Sequence, residues 1–228
     1  MSNKLNVGVL FRNNEEFVNP FFFFLRKSTI MNLRMIVVDN GSTDKTAEEI
    51  QKHIKKDDVF IRSVSNVGIA GGRNLILEAM KKHDNGYTDL LLFDSDVFIV
   101  RQDSINRMYD MFSLDNRCGM VFGTVRSFQS FSLSAVGICF CLIRKEVFEL
   151  QGGFDPQFKM FYDDTDFVHQ METRGKYKVS VCEKAMAVHM WGSTIFKGSE
   201  GGKIREEALL HDRLCYEKKW NCKLEKVT

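Results

Sequence analysis

The chain has 228 residues, of which 44% are hydrophobic, and its formal net charge is +2. That length suffices for one large domain or two small ones, and the composition is that of an ordinary globular protein. The nearly balanced charge gives no electrostatic reason to expect a nucleic acid partner.

The cysteines and the apolar segments both bear on where the protein works. The six cysteines form no C-x-x-C pair, so we interpret them as reduced thiols. The N-terminal apolar run is too short for a signal peptide, and PFFFFL (20–25) is too short to cross a bilayer. We therefore expect a cytoplasmic protein, with peripheral membrane contact left open.

Strand-like and helix-like segments alternate through the first half of the chain. Strands are predicted at LNVGVLF (5–11), which is expected to be buried, at RMIVVD (34–39), and at the shorter and more polar VFIRSV (59–64). A helix follows each strand, and the first helix is expected to start at Asn19-Pro20, a typical cap and first-turn pair. Repeated units of this length predict an α/β fold, with an open, mainly parallel sheet and helices on both faces.

The second half of the chain is more irregular. Helices are predicted near residues 105–112, 164–174 and 204–219, and strands at 119–123, 134–143, 177–181 and 185–189. Between the last strand and the last helix lies FKGSEGGK (196–203), a polar segment that contains glycines. Glycines permit motion, so this loop is a candidate lid over a bound ligand. An ordinary exposed loop is the alternative interpretation.

Carboxylates close two of the predicted strands. Asp39 ends the second strand, and Asp94 and Asp96 end the apolar run LLLFDSD (90–96). In an open parallel sheet, ligands bind beyond the carboxyl ends of the strands, and residues i and i+2 project to the same side. Asp94 and Asp96 therefore converge, and paired carboxylates suit a hard cation such as Mg²⁺ or Mn²⁺. A solvated strand end is the alternative.

A glycine-rich turn, NVGIAGGRN (66–74), leads into a predicted helix and carries Arg73. A helix start of this kind offers free N–H groups and a positive dipole end to an anion. Its spacing matches neither common nucleotide-binding fingerprint. A tight turn that packs helix against strand therefore remains the alternative.

Two later segments carry groups suited to catalysis. Asp163, Asp164 and Asp166 stand at the start of one helix, and three acids are more than capping needs. A carboxylate that is ionised at neutral pH can accept a proton from a hydroxyl. His189 ends a short apolar strand, where it is either a structural residue or a further metal ligand beside Asp96.

Four of these motifs follow one another in a recognisable order. They are VVDNGSTD, N-x-G-x-x-G-G-R-N, a D-x-D that closes an apolar strand, and GGFD…YDDTD. In this order the sequence resembles the family 2 glycosyltransferases of the GT-A fold from about Val7 to His189, and more loosely to Trp220. AVHMWGST is similar to the late histidine motif of that family, and EKKW (217–220) to the helix end of its rhamnosyltransferase-like branch.

The resemblance implies a role for each matching residue. It assigns nucleotide-sugar contacts to Phe11, Asn13, Asp39, Arg73, Asp94 and Ser95. It implies that Asp96 and His189 hold Mn²⁺ or Mg²⁺ and that Asp164 is the general base. Asp163 and Trp191 are expected to contact the donor sugar or the acceptor.

The resemblance also implies an activity and a division of the chain. A single GT-A domain (1–228) is expected, with a nucleotide-binding half (1–100) and an acceptor-binding half (101–228). It would move a sugar, with inversion, from a UDP-, GDP- or dTDP-linked donor to a glycan, lipid-linked or protein acceptor. The Q-x-x-R-W motif of processive members is absent from the sequence, so one sugar per event is expected.

The sequence departs from the family pattern in the first loop. FRNN carries Arg12 where an aromatic residue commonly stacks on the base, so either Phe11 or the guanidinium of Arg12 is expected to take that place. Two other functions are alternatives to glycosyl transfer. A sugar-phosphate nucleotidyltransferase needs a glycine-rich loop where LFRNNEE stands, and a non-catalytic binding module would not need Asp96 and Asp164.

Overall fold

The computed structural model describes residues 4–28, 32–83, 89–127, 133–135, 138–190 and 201–224. The strands in these ranges are β1 (Lys4–Phe11), β2 (Asn32–Asp39), β3 (Val59–Arg62), β4 (Leu90–Asp94), β5 (Val97–Ile99), β6 (Cys118–Ser127), β7 (Leu133–Ala135), β8 (Phe140–Ile143) and β9 (Lys178–His189). The helices are α1 (Glu15–Lys27), α2 (Thr46–Gln51), α3 (Gly68–Lys82), α4 (Ser104–Leu114), α5 (Lys145–Gln151), α6 (Asp163–Thr173) and α7 (Gly201–Trp220).

One open, mixed sheet contains the described strands, in the order β3-β2-β1-β4-β8-β6-β9-β5, with β7 paired to β6. The first part of the sheet, β3-β2-β1-β4, is parallel throughout. The strands after β4 mix directions: β8 pairs antiparallel with β4 and β6, while β9 runs parallel to β6 and antiparallel to β5. The predicted open α/β sheet is confirmed, and its parallel part brings the ends of β1, β2 and β4 to one edge.

Helices cover both faces of this sheet because the strands alternate their buried side chains. Val7 and Val9 of β1 pack in one apolar cluster with α1 and α4. Leu90 and Leu92 of β4 pack in the other cluster with α3, α5 and α6. Gly8 lets α3 approach β1 closely, since a Cβ at that position would lie 2.6 Å from a methyl carbon of Ile76.

Helix α1 starts earlier than predicted. It begins at Glu15, and Pro20 lies inside it rather than in its first turn, so the predicted start at Asn19-Pro20 is wrong. Contacts outside the helix explain the early start: Asp44 accepts a hydrogen bond from the backbone N–H of Glu15, and the Glu15 carboxylate accepts one from the N–H of Lys45. Pro20 removes only one hydrogen bond, close to the helix start.

The second half differs from its predicted bounds in three places. The two predicted strands at 177–181 and 185–189 are one strand, β9, whose register against β6 shifts between Gly123 and Thr124. The predicted strand 134–143 is divided between β7 and β8. Residues 196–200 of the candidate lid lie outside the described residues, and 201–203 form the first turn of α7. Across the described ranges, no helix combines the length and apolar character needed to span a membrane.

Candidate active site

The carboxyl ends of three parallel strands bring two acidic residues together. In the sheet register Phe11, the last residue of β1, is opposite Asp39 of β2. Leu10 of β1 is opposite Asp94 of β4 on the other side. The two carboxylates therefore flank the end of β1, at the edge where ligands of parallel sheets bind.

A candidate metal centre forms where β4 passes into β5. Because β5 pairs with β9 and Val97 is opposite His189, this histidine lies beside the turn that carries Asp96. The Nε2 atom of His189 is 3.1 Å from Oδ1 of Asp96. One ligand atom from each of Asp94, Asp96 and His189 lies within 4.8 Å of the other two. Two carboxylates and an imidazole are a donor set that fits Mn²⁺ or Mg²⁺.

The side chains of this candidate metal centre shift one another's pKa values. Burial raises the pKa of Asp94, and the negative charge of Asp96 adds to that rise while Arg73 opposes it. Burial alone would lower the pKa of His189, but its hydrogen bond to Asp96 leaves the pKa above its usual value. A bound dication would favour ionised aspartates and a neutral imidazole, so metal binding here must compete with protons.

Arg73 joins the metal cluster to the start of helix α6. Its Nη1 atom lies 2.6 Å from Oδ2 of Asp163, and its Nη2 atom lies 3.5 Å from Oδ1 of Asp94. The guanidinium also lies over the ring of Phe154. Burial raises the pKa of Asp163 to about 6, although Arg73 works in the opposite direction. Arg73 therefore holds two carboxylates that belong to distant parts of the chain.

Asp164 stands next to this ion pair but is more accessible. Its side chain is half-buried, and its Oδ1 atom accepts a hydrogen bond from the N–H of Thr165 at 2.7 Å. Its negative charge acts on Arg73, Asp94 and Asp163, which places it in the same cluster. A carboxylate that reaches solvent beside a candidate metal centre can accept a proton from a bound hydroxyl.

Asp39 has one buried carboxylate oxygen that accepts no hydrogen bond from the described residues. Its side chain is fully buried, and its Oδ1 atom accepts the N–H of Ser42 at 3.0 Å. Its Oδ2 atom accepts no hydrogen bond from the described residues and lies 3.5 Å from Nε of Arg62. Buried acceptors normally have a donor. Nearby, the side chain of Asn13 accepts the N–H of Thr43 and so fixes the loop after β1.

Phe11 and Ser95 do not present their side chains to this edge. Phe11 is fully buried and makes an edge-to-face contact with Phe21, so the prediction that it stacks on a base is wrong. The neighbouring Arg12 is exposed. The hydroxyl of Ser95 accepts a hydrogen bond from the Asn14 amide and is directed toward the start of α1. Trp191, the other predicted contact, lies outside the described residues.

A buried aspartate in α7 fixes the segment that leads into α6, and sequence reasoning missed it. Asp212 is fully buried, and its carboxylate accepts the backbone N–H groups of Lys159, Met160 and Phe161 at 2.8–3.1 Å. The carbonyl of Lys159 in turn accepts the N–H of Ile69, at the start of α3. Asp212 thus supports both segments that carry Arg73 and Asp163.

The end of α7 is attached to α6 through Asp166. This carboxylate is fully buried and accepts hydrogen bonds from Lys219, from the Trp220 indole and from Gln170. The ring of Trp220 stacks on His169 at 3.8 Å between centroids. Asp166 is therefore a structural residue, and EKKW was the only sequence signal for this contact.

Comparison with known proteins identifies the family. The family model described as Glycosyl transferase family 2 matches residues 7–171. The chain belongs to glycosyl transferase family 2. The teichoic acid poly(glycerol phosphate) polymerase of Staphylococcus epidermidis is 30% identical to this chain over 82 residues, which are 35% of this chain and 11% of that protein.

Solved structures share the fold of this family 2 chain. A mannosyltransferase of Pyrobaculum calidifontis in complex with GDP-Man and Mn²⁺ matches with a TM-score of 0.69 and 16% identity, over 94% of this chain and 64% of that one. Residues 1–349 of TarS from S. aureus match with a TM-score of 0.67 and 16% identity, over 97% and 67% of the two chains. The chain therefore spans about two thirds of the length of these two solved chains.

Proposed function

We propose that this family 2 chain is an inverting, metal-dependent glycosyltransferase that moves one sugar per event from a nucleotide diphosphate sugar to an acceptor hydroxyl. The observation that carries the proposal is the convergence of Asp94, Asp96 and His189 with the Arg73, Asp163 and Asp164 cluster at one sheet edge. Family 2 membership and the fold it shares with a GDP-Man- and Mn²⁺-bound mannosyltransferase support it.

Asp94, Asp96 and His189 are the residues that would hold Mn²⁺ or Mg²⁺. When bound, such a cation supplies positive charge to the diphosphate leaving group. The protein contributes the fixed positions of the three ligands, because Asp94 and His189 end strands of one sheet and Asp96 lies in the short turn between β4 and β5.

Asp164 is the proposed general base. The acceptor oxygen forms a bond to the anomeric carbon from the face opposite the leaving group, and the bond to the phosphate oxygen breaks with its electron pair. Asp164 takes the hydroxyl proton, because it is a half-buried carboxylate of the cluster that is neither a proposed metal ligand nor paired with Arg73. Asp163 is paired with Arg73, so its proposed role is to orient Arg73 and to line the sugar site.

The nucleotide is proposed to bind along the ends of β1 and β2. The Oδ2 atom of Asp39 accepts no hydrogen bond from the described residues and would accept an N–H group of a base, and the exposed guanidinium of Arg12 would stack on that base. Residues 1–100 would then form the nucleotide-binding half and residues 101–228 the acceptor-binding half.

UDP-, GDP- and dTDP-linked sugars remain candidate donors, with a glycan, lipid-linked or protein acceptor. The rhamnosyltransferase-like branch stays a prediction.

A panel of UDP-, GDP- and dTDP-linked sugars tests this function, with Mn²⁺ and after chelation. We expect release of the nucleoside diphosphate from one donor class, lost on chelation and restored by Mn²⁺. The configuration of the product, read by NMR coupling constants, tests inversion. Donor turnover that is equal with and without metal would overturn the metal-dependent mechanism. A retained anomeric configuration would overturn the role of Asp164.

A further inference from the structure

The end of helix α1 exposes aromatic side chains beside basic ones. Phe23 is 54% exposed and Phe24 is 37% exposed, whereas large apolar side chains on the opposite face of the helix are buried. Arg26 and Lys27 follow directly, and Nζ of Lys27 lies 4.1 Å from the centroid of the Phe23 ring. Exposed aromatic residues of this size need a reason, since soluble surfaces seldom cluster them.

A second segment extends the same surface. Phe24 contacts Phe98 of β5, with ring centroids 5.7 Å apart. Val100, two residues further on, is 52% exposed. The N–H of Asp103 is bonded to the carbonyl of Ser28, which brings the start of α4 beside the end of α1.

This second segment adds more positive than negative charge. Arg101 and Arg107 both pair with Asp103, so two guanidinium groups share one carboxylate. We call the surface of Phe23, Phe24, Val100, Arg26, Lys27, Arg101 and Arg107 the α1-end surface. It holds three exposed apolar side chains and four basic ones, and Asp103 is paired with two of the basic ones, Arg101 and Arg107.

A shallow apolar groove adjoins these aromatic residues. It has a volume of about 620 Å³, and Pro20, Phe22, Phe23 and Phe24 line it, with Lys27 among its polar neighbours. Apolar rings surrounded by basic side chains match the interface of a bilayer, where rings sit among headgroups and cations meet acidic lipids. The ammonium group of Lys27 lies over the exposed Phe23 ring, so a positive charge and an aromatic ring occupy the same part of the surface.

We infer that the α1-end surface docks this protein on an anionic membrane, with Phe23 and Phe24 among the lipid headgroups and the basic side chains on acidic lipids. The active-site edge lies at the other end of α1, because α1 follows β1. A helix of 13 residues rises about 20 Å. Docking by this end of α1 would therefore keep Phe23 and Phe24 about one helix length from the end of β1, where the candidate site lies accessible to soluble donors.

Sedimentation with lipid vesicles tests this inference. We expect the protein to sediment with phosphatidylcholine vesicles that contain about 30% phosphatidylglycerol, and much less with pure phosphatidylcholine. About 0.5 M NaCl should release most of it, because salt screens headgroup contacts. Equal binding to both vesicle types, or no binding to either, would overturn the inference.

Two variants separate the aromatic from the ionic contribution. Phe23→Ser with Phe24→Ser, and separately Lys27→Glu with Arg101→Glu, should each weaken vesicle binding by roughly tenfold. Leu114→Ser is the matched control, because Leu114 is 83% exposed at the far end of α4. It should bind vesicles like the wild type. Thermal unfolding would identify a variant that fails to fold, and the other variant then carries the test.

Other occupants of the surface give different results. If the α1-end surface joined two copies of the chain, light scattering would give a dimer mass that the aromatic variant reduces to a monomer, and vesicle binding would be absent. That result would overturn membrane docking. Transfer to a soluble acceptor is measured in parallel. If the wild-type protein shows no such transfer, the proposed function is contradicted. The docking inference is decided by vesicle binding alone.

Discussion

The candidate site has two parts that are held in place in different ways. Asp94 and His189 lie at the ends of paired strands, and Asp96 lies in the turn between β4 and β5, where its carbonyl accepts the N–H of Met190, so backbone hydrogen bonds fix all three. Asp163 and Asp164 begin a helix, and the segment before it is held by the side chain of Asp212, 51–53 residues further along the chain. We call Asp94, Asp96 and His189 the metal part, and Asp163 and Asp164 the base part. Substitutions in α7 should therefore leave the geometry of the metal part unchanged and disturb that of the base part.

The base part has the largest expected effect on turnover. Asp164→Asn keeps the size of the side chain but cannot accept the hydroxyl proton, so the transfer rate should fall about 1,000-fold. Donor and Mn²⁺ affinities, measured by thermal shift, should change little. Asp110→Asn, at an exposed position on α4, is the control. Unchanged turnover in Asp164→Asn would remove the base assignment.

The second largest expected effect is the loss of Mn²⁺ affinity when a metal ligand is removed. Asp96→Asn and His189→Ala should each lower Mn²⁺ affinity by about 100-fold, since each removes one of three protein ligands. Titration followed by electron paramagnetic resonance measures this directly. Unfolding in the absence of metal tests whether the variants still fold. Wild-type Mn²⁺ affinity in both variants would place the ion elsewhere.

Asp212→Ala tests whether the two parts are independent. It leaves three backbone N–H groups without their buried acceptor, so the free energy of unfolding should fall by about 3 kcal/mol. The rate constant kcat should fall more than the donor KM rises, and Mn²⁺ affinity should stay close to that of the wild type. Asp212→Asn keeps one carbonyl acceptor and should recover part of kcat. A parallel loss of Mn²⁺ affinity would contradict the separation.

The smallest expected effect is a pH dependence of stability from Asp163. Its pKa is raised to about 6 in the folded protein, from 3.8. Between these values the folded state binds more protons than the unfolded state, so this group favours folding more as the pH falls. From pH 7 to pH 5, without metal, wild type should gain about 1 kcal/mol relative to Asp163→Asn. Denaturant unfolding at both pH values measures the difference, and the opposite sign would contradict the raised pKa.

Strand alternation accounts for much of what could be predicted. Residues i and i+2 face the same side, so the meeting of Asp94 and Asp96 follows from the sequence once the strand is located. The same alternation predicts that Phe11 is buried, which the family resemblance did not indicate. It continues the buried series of Leu5, Val7 and Val9, and so belongs to the core rather than to the ligand edge.

Long-range contacts set the limit of prediction. The sequence around Asp212 indicates only a charged helix, because the backbone groups that it binds lie in a loop without regular structure. The early start of α1 has a similar origin, since Asp44 stabilises a turn that local propensity assigns to a loop. Propensity is a weak guide wherever such tertiary contacts oppose it.

Helix α7 carries no group that touches a substrate in the proposed mechanism, yet Asp212 grips the approach to the base and Trp220 is bonded to Asp166. A molecule that binds α7 would therefore act on the candidate site without occupying it. An antibody fragment or macrocyclic peptide that displaces α7 should stop the proposed sugar transfer without preventing the binding of the proposed metal ion and donor. An inhibitor of that kind would not have to compete with cellular nucleotides.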